Sequence, residues 1–178
     1  MTGPDFDFAP VLTGETLHLR PLRAEDRDGL YRAARDPLIW AGHPARTRHE
    51  RAVFDPYFDF LRTAGGTLAV TDRRHGAIIG ASRFYEVAER PGTMAIGFTF
   101  LTRAHWGGAA NREMKALMFA HVFRWFDAVW LDIGVDNLRS QRAAEKIGAR
   151  RMGAARLSIG AQPADYLCYR MRRQDWPG

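Results

Sequence analysis

A single cysteine, Cys168, serves the whole 178-residue chain, so no internal disulfide can form and a reducing, cytoplasmic setting is expected. Lysine is nearly as scarce. Lys115 and Lys146 are the only two among 26 cationic residues, and the rest are arginine. No apolar run approaches the roughly 18 residues that a membrane helix needs, which excludes a spanning helix as the expected architecture. Met1–Pro10 has neither the basic start nor the apolar stretch of a secretory signal. Internal repeats, low-complexity tracts and linkers are missing, and the six histidines show no metal-ligand spacing. The lysine-serine ending of a phosphate-binding Walker loop and the G-x-G-x-x-G spacing of a dinucleotide fingerprint are missing too.

What is present is ordinary for a globular chain: 46% hydrophobic, 26% charged, and a length that fits one domain over residues 1–178. The net charge of +6 comes from arginines spread along the chain and mixed with Asp and Glu. A nucleic-acid binder concentrates its basic residues, so that partner is disfavoured, and surface arginine or contacts with an anionic cofactor are the better readings.

Periodicity gives the element order β-α-α-β-β-β-α-β-α-β-β, an α+β arrangement rather than a doubly wound one. A strand over Thr16–Leu22 precedes a helix that carries Leu30, Tyr31 and Ala34 and stops near Asp36-Pro37. Ile39–Arg46 reads as a loop. Thr47 and Glu50 have the spacing of a capping box, opening a helix with Val53, Phe54, Tyr57, Phe58 and Leu61 on one face. Pro56 is expected to bend that helix or delay its start. Strands follow at Leu68–Thr71, Ala77–Glu86 and Met94–Leu101, the last alternating through Met94, Ile96, Phe98 and Phe100. A loop from Arg103 to Ala110 leads into a helix striped with Met114, Leu117, Met118, Val122 and Trp125. A strand at Val129–Val135, a helix at Asn137–Ile147 and a closing hairpin at Arg150–Ile159 and Tyr166–Arg172 complete the chain.

The chemistry concentrates where Met94–Leu101 gives way to Gly107, Gly108, Ala109 and Ala110 and then to a helix. Small side chains let a phosphate approach the backbone, and a helix N-terminus offers free N–H groups with partial positive charge. A tight turn that packs helix on sheet is the structural alternative. A second cluster, Asn137-Leu138-Arg139-Ser140, follows a strand end. There Asn137 can cap a helix, and its amide and the Ser140 hydroxyl can face a ligand.

At these places the sequence resembles the GNAT superfamily of acetyltransferases, in the branch similar to the Rim-type ribosomal-protein N-terminal acetyltransferases. The stretches that carry the likeness are Leu19-Arg20-Pro21-Leu22, Ile39-Trp40 with His43-Pro44, Ile79 to Phe84, and Ile96 to Leu101. Trp106-Gly107-Gly108 with Asn111 to Lys115, Asn137 with Ser140, and Glu145 to Ala149 complete it. The resemblance implies a central mixed, strongly twisted sheet that splays between the strand ending at Leu101 and the strand ending at Val135. It implies acetyl-CoA as cosubstrate, with pantetheine along Phe98, Thr99, Phe100 and Leu101. The pyrophosphate would lie near Arg103, Trp106, Gly107, Gly108, Ala109, Ala110 and Asn111, and Asn137 and Ser140 would flank the thioester. The acceptor would enter past Trp40, His43 and Arg83.

The implied reaction is direct attack of a primary amine, on a small molecule or a protein N-terminus, upon the thioester carbonyl. The alternative is a non-catalytic acyl-CoA-binding or sensing module. A homodimer is compatible with the sequence. The family's usual tyrosine is missing around Ala143-Ala144, so Ser140 is the expected proton donor to the thiolate. The glutamate that many relatives carry on Met94–Leu101 is also missing, those positions being Met94, Ala95 and Thr99. Glu86 or His105, directly or through water, could substitute as base, and plain surface is the alternative reading of each. Trp40 can pack on the second helix or wall the substrate, and Arg83 can pair with a buried acid such as Asp132 or meet an acidic substrate. Cys168 is expected in the core.

Overall fold

The computed structural model describes residues 5–178; of the Met1–Pro10 stretch that bears on a leader, residues 1–4 lie outside it. The strands are β1 (Leu12–Thr13), β2 (Leu17–Pro21), β3 (Thr67–Asp72), β4 (Ile78–Tyr85), β5 (Met94–Leu101), β6 (Ala128–Gly134), β7 (Arg150–Leu157) and β8 (Ala164–Arg172). The helices are α1 (Arg27–Ala34), α2 (Pro37–Trp40), α3 (Arg51–Thr63), α4 (Ala109–Val122) and α5 (Leu138–Lys146). Hydrogen bonding orders the strands β1-β2-β3-β4-β5-β6-β8-β7 in a mixed α+β sheet. β5 runs parallel to β6, joined at Met94↔Val129 and Ala95↔Trp130. The hairpin of β7 and β8 is antiparallel, as is β6 with β8. No helix among the described residues is long and apolar enough to cross a membrane.

Three local expectations are corrected. Ile39 and Trp40 are not loop but belong to α2, where Asp36 accepts from the Leu38 amide at 3.0 Å and Pro37 takes the first helical turn. Four residues are too few to show a period, yet the Asp-Pro pair is itself a helix-start signal. The capping box at Thr47 and Glu50 does not form. Glu50 is the N-cap without a side-chain bond, Thr47 only accepts from the Glu50 amide through its carbonyl, and α3 starts at Arg51 with Pro56 inside it. Finally, α4 begins at Ala109, so Ala109 and Ala110 are helix rather than loop, and Trp125 falls past its end. The two-residue β1 is an addition too short for alternation to reveal.

The chain forms two compact units. One comprises Asp7–Arg83 and Phe98–Met118; the other comprises the segment ending at Phe6, Phe84–Gly97 and Phe119–Gly178. In the first, Leu30, Ala33, Ile39, Trp40, Phe54, Phe58, Leu61 and Phe100 form a closed apolar core. α3 supplies Phe54, Tyr57, Phe58 and Leu61 at helical spacing, and β5 supplies Phe100. In the second, Phe6 stacks edge-on against Phe84, Trp125 and Phe126, and Phe119 meets Trp176 at 4.9 Å. There Asp132, its carboxylate fully buried, pairs with Arg90, which lies 4.1 Å from the Trp130 ring. Burial pushes the Asp132 carboxyl up, against the pull of Arg90.

Candidate functional site

In the first unit β5 carries an unusual backbone. Phe98 has φ 51, a left-handed conformation that a bulky L-residue adopts only when its surroundings enforce it. Its ring packs on Phe60 at 5.6 Å and under the Arg83 guanidinium at 5.2 Å. One residue on, Thr99 faces the other way and bonds Ser82 Oγ at 2.7 Å and Lys115 Nζ at 3.1 Å. Phe100 returns to the core against Trp40 at 5.1 Å. β4 comes unusually close here: a Cβ on Gly80 would lie 2.0 Å from the Phe100 carbonyl oxygen, so only glycine fits.

The loop after β5 is tied down at several points. Thr102 donates its amide to the Ile79 carbonyl at 2.8 Å, and its hydroxyl meets His105 Nδ1 at 2.7 Å. Trp106 Nε1 donates to the Leu101 carbonyl at 2.9 Å. Arg103 pairs with Asp36. Gly107 then turns the chain with φ +67, and a Cβ on Gly107 or Gly108 would meet no atom within 4 Å beyond its chain neighbours. The first turn of α4 follows at once, with Ala109, Ala110 and Asn111 carrying its free amides. Strand, open glycine pair and helix N-terminus are thus continuous, a geometry suited to an extended anionic ligand.

The acceptor-side residues have structural partners. Trp40 is 2% exposed and donates Nε1 to the Ala34 carbonyl at 2.7 Å, so it is a core residue beside Tyr57 of α3. His43 is half-buried, its ring edge-on to Trp40 and its Nδ1 accepting from the Ala45 amide at 2.9 Å. Arg83, at the end of its unit, is bound within that unit. It donates to the carbonyls of Gly65 and Ala64 at the C-terminal end of α3, where uncapped carbonyls favour a cation.

The remaining predicted residues lie in the second unit. Asn137, 6% exposed, is the N-cap of α5, its Oδ1 accepting from the Ser140 amide at 3.3 Å; Ser140 is half-buried in the first turn. Gln141 secures the entry to α5 through the Gly134 and Val135 carbonyls. Glu86 is exposed just past β4. Cys168 is buried; burial and the neighbouring Asp132 push its thiol up to about 11, which makes it inert as a nucleophile.

Sequence reasoning missed one residue of chemical interest. Lys115 is 7% exposed, and burial alone draws its amine down to about 7. Lysine scarcity was the available signal, since lysine can be buried neutral and arginine cannot. Lys146, the other lysine, is exposed at the end of α5.

A mixed α+β sheet with a parallel pair inside it, and a glycine loop that leads into a helix N-terminus, is an arrangement suited to binding an anionic ligand. The acetyltransferase (GNAT) domain model matches residues 16–150, and the chain belongs to that family, whose general chemistry is acetyl transfer. No curated protein matches the chain. Among solved structures, a GCN5-related N-acetyltransferase from Brucella melitensis is similar over 99% of this chain and 85% of its own, with 22% identity and a TM-score of 0.78. An acetyltransferase (GNAT family) from Bacillus anthracis is 17% identical over 93% of this chain and 99% of its own, with a TM-score of 0.72. RimJ of Mycobacterium smegmatis, in complex with CoA-disulfide, is 19% identical over 96% of this chain and 88% of its own, with a TM-score of 0.64. These three likenesses establish the fold.

Proposed function

We propose that the chain is an N-acetyltransferase that moves the acetyl group of acetyl-CoA to a primary amine by direct attack. The observation that carries this reading is the unbroken run from the Phe98 kink through Gly107 and Gly108 to the α4 N-terminus. Family membership names acetyl transfer as its chemistry. That a RimJ structure with a coenzyme A derivative has a similar fold supports the choice of cosubstrate.

In this reading pantetheine runs along Phe98–Leu101, and the pyrophosphate meets amides between Gly107 and Asn111. Arg103 holds its loop through Asp36. The neutral amine attacks the carbonyl, a backbone N–H of the kinked strand stabilises the oxyanion, and the thiolate leaves. Ser140 donates a proton to the sulfur, for which a thiol value near 8.5 asks only modest help. An α-amine with a value of about 8 is substantially neutral near pH 7.5, whereas a lysine amine near 10.4 is about 0.1% neutral. A weakly basic amine therefore suits the site best.

The test is thermal shift with acetyl-CoA against ATP, followed by an amine screen read by thiol release. Saturable stabilisation by acetyl-CoA alone, with thiol release from at least one amine, is the expected result. Equal shifts with ATP would reduce the site to generic anion binding on arginine. Tight acetyl-CoA binding without turnover would leave an acyl-CoA-binding module.

A further inference from the structure

Three side chains of the first unit form a polar chain inside an otherwise apolar region. Lys115 of α4 reaches Thr99 Oγ1 at 3.1 Å, and Thr99 Oγ1 meets Ser82 Oγ of β4 at 2.7 Å. Ser82 is fully buried and Lys115 nearly so, while Thr99 is half-buried and follows the strained Phe98 on β5. Thr99 is thus where the buried amine reaches the strand assigned to pantetheine, whose backbone N–H is proposed to hold the oxyanion.

Among the described residues no carboxylate pairs with the Lys115 amine. On α4, Glu113 is held by the hydroxyl and amide of Thr16 and the amide of Leu17, Arg112 is exposed, and His121 lies among Phe6, Phe84 and Trp125. β5 has no titratable side chain. On β4, Arg83 is spent on the α3 carbonyls and Tyr85 on Asp132. On β2, His18 bonds Thr13 and Arg20 bonds Asp26; on β3, Asp72 accepts from the Arg74 amide.

We propose that Lys115, acting through the Thr99 hydroxyl, takes up the proton that the acceptor amine loses during acetyl transfer. This rests on the amine-acetylation reading. Attack forms the C–N bond and leaves the nitrogen positive. An N–H proton passes to Thr99 Oγ1 as the Thr99 hydroxyl proton passes to neutral Lys115 Nζ. The C–S bond then breaks, the thiolate leaves with its electron pair, and the Lys115 ammonium returns its proton to solvent. A proton acceptor works best when its own value lies near the working pH, and burial has brought Lys115 there, to about 7. Lys115 supports the reaction through Thr99 rather than by touching substrate.

The test uses the full chain with acetyl-CoA and the amine found by thiol release. The expected wild-type kcat/KM rises with pH through a limb near 7. Lys115→Met and Thr99→Val should each remove that limb and lower kcat/KM at pH 7.5 by roughly 10²-fold, while stabilisation by acetyl-CoA persists. Thr99→Val keeps the lysine and the side-chain shape, so it decides the matter if Lys115→Met fails to fold. With only two lysines, labelled lysine gives two side-chain NMR signals, and Lys115→Met assigns them. A Lys115 signal that titrates near 7 supports the proposal. An ammonium that persists to pH 9, or variants that keep the wild-type limb, overturns it. A wild type that binds acetyl-CoA but releases no thiol with any amine brings down the transferase reading itself, and the proton role with it.

Discussion

Lys115 is costly to the fold as well as useful to the site. Its folded value of about 7 lies below the roughly 10.4 of an unfolded lysine, so protonation favours the unfolded chain. As pH falls from about 10 to 7 the folded state should lose stability, by as much as about 4 kcal/mol, with no further loss from this group below 7. Lys115→Met removes the titration and keeps most of the volume, giving up one bond to Thr99 worth about 1 kcal/mol. Urea unfolding at pH 7 should show a more stable variant, with a flatter pH dependence between 7 and 10. A variant with the wild-type slope would place the titrating group elsewhere. At this scale the sequence was partly legible. Asn137 was readable as an N-cap because asparagine before a periodic run has a local cause. Trp40 packs beside Tyr57 of α3, as one of its two readings had it, whereas the Arg83 bonds were not readable, because a carbonyl such as that of Gly65 carries no sequence mark.

The elements that build the site are held by backbone approach rather than by side-chain volume. Gly80 lets β4 lie against the Phe100 carbonyl, and neither partner is a flexible side-chain end that could move aside. Gly80→Ala should therefore destabilise by about 3 kcal/mol and displace the strand that carries Phe98 and Thr99. The checks are the urea midpoint and the acetyl-CoA thermal shift, and both should fall; an unchanged midpoint would mean that the strands separate at no cost. The alternation of Met94, Ile96, Phe98 and Phe100 marked β5 clearly. It could not disclose that Phe98 turns left-handed, because phenylalanine is a poor residue for that conformation and tertiary packing enforces it. The short α2 escaped because periodicity needs more than one turn. The loop-to-helix boundary moved to Ala109 because alanine is as good in a helix as in a tight turn beside glycine.

For the whole molecule, composition was a sound guide to class, and the order of strands and helices followed from pattern with two small additions. The choice of arginine over lysine has a consequence for the chemistry assigned to the chain. Arginine is not acetylated by a thioester under ordinary conditions, since its guanidinium does not give up its proton. Of the two amines on side chains, Lys115 is shut inside and Lys146 alone is exposed. Incubated with excess acetyl-CoA and no acceptor, the chain should gain side-chain acetyl groups at Lys146 only, as read by peptide mass spectrometry. Acetyl-Lys115 would mean that α4 opens on the time scale of the incubation. A surface made cationic almost entirely by arginine leaves the protein close to inert toward the acetyl-CoA proposed as its cosubstrate, so that it can stay in a pool of activated acetyl groups without being slowly neutralised by them.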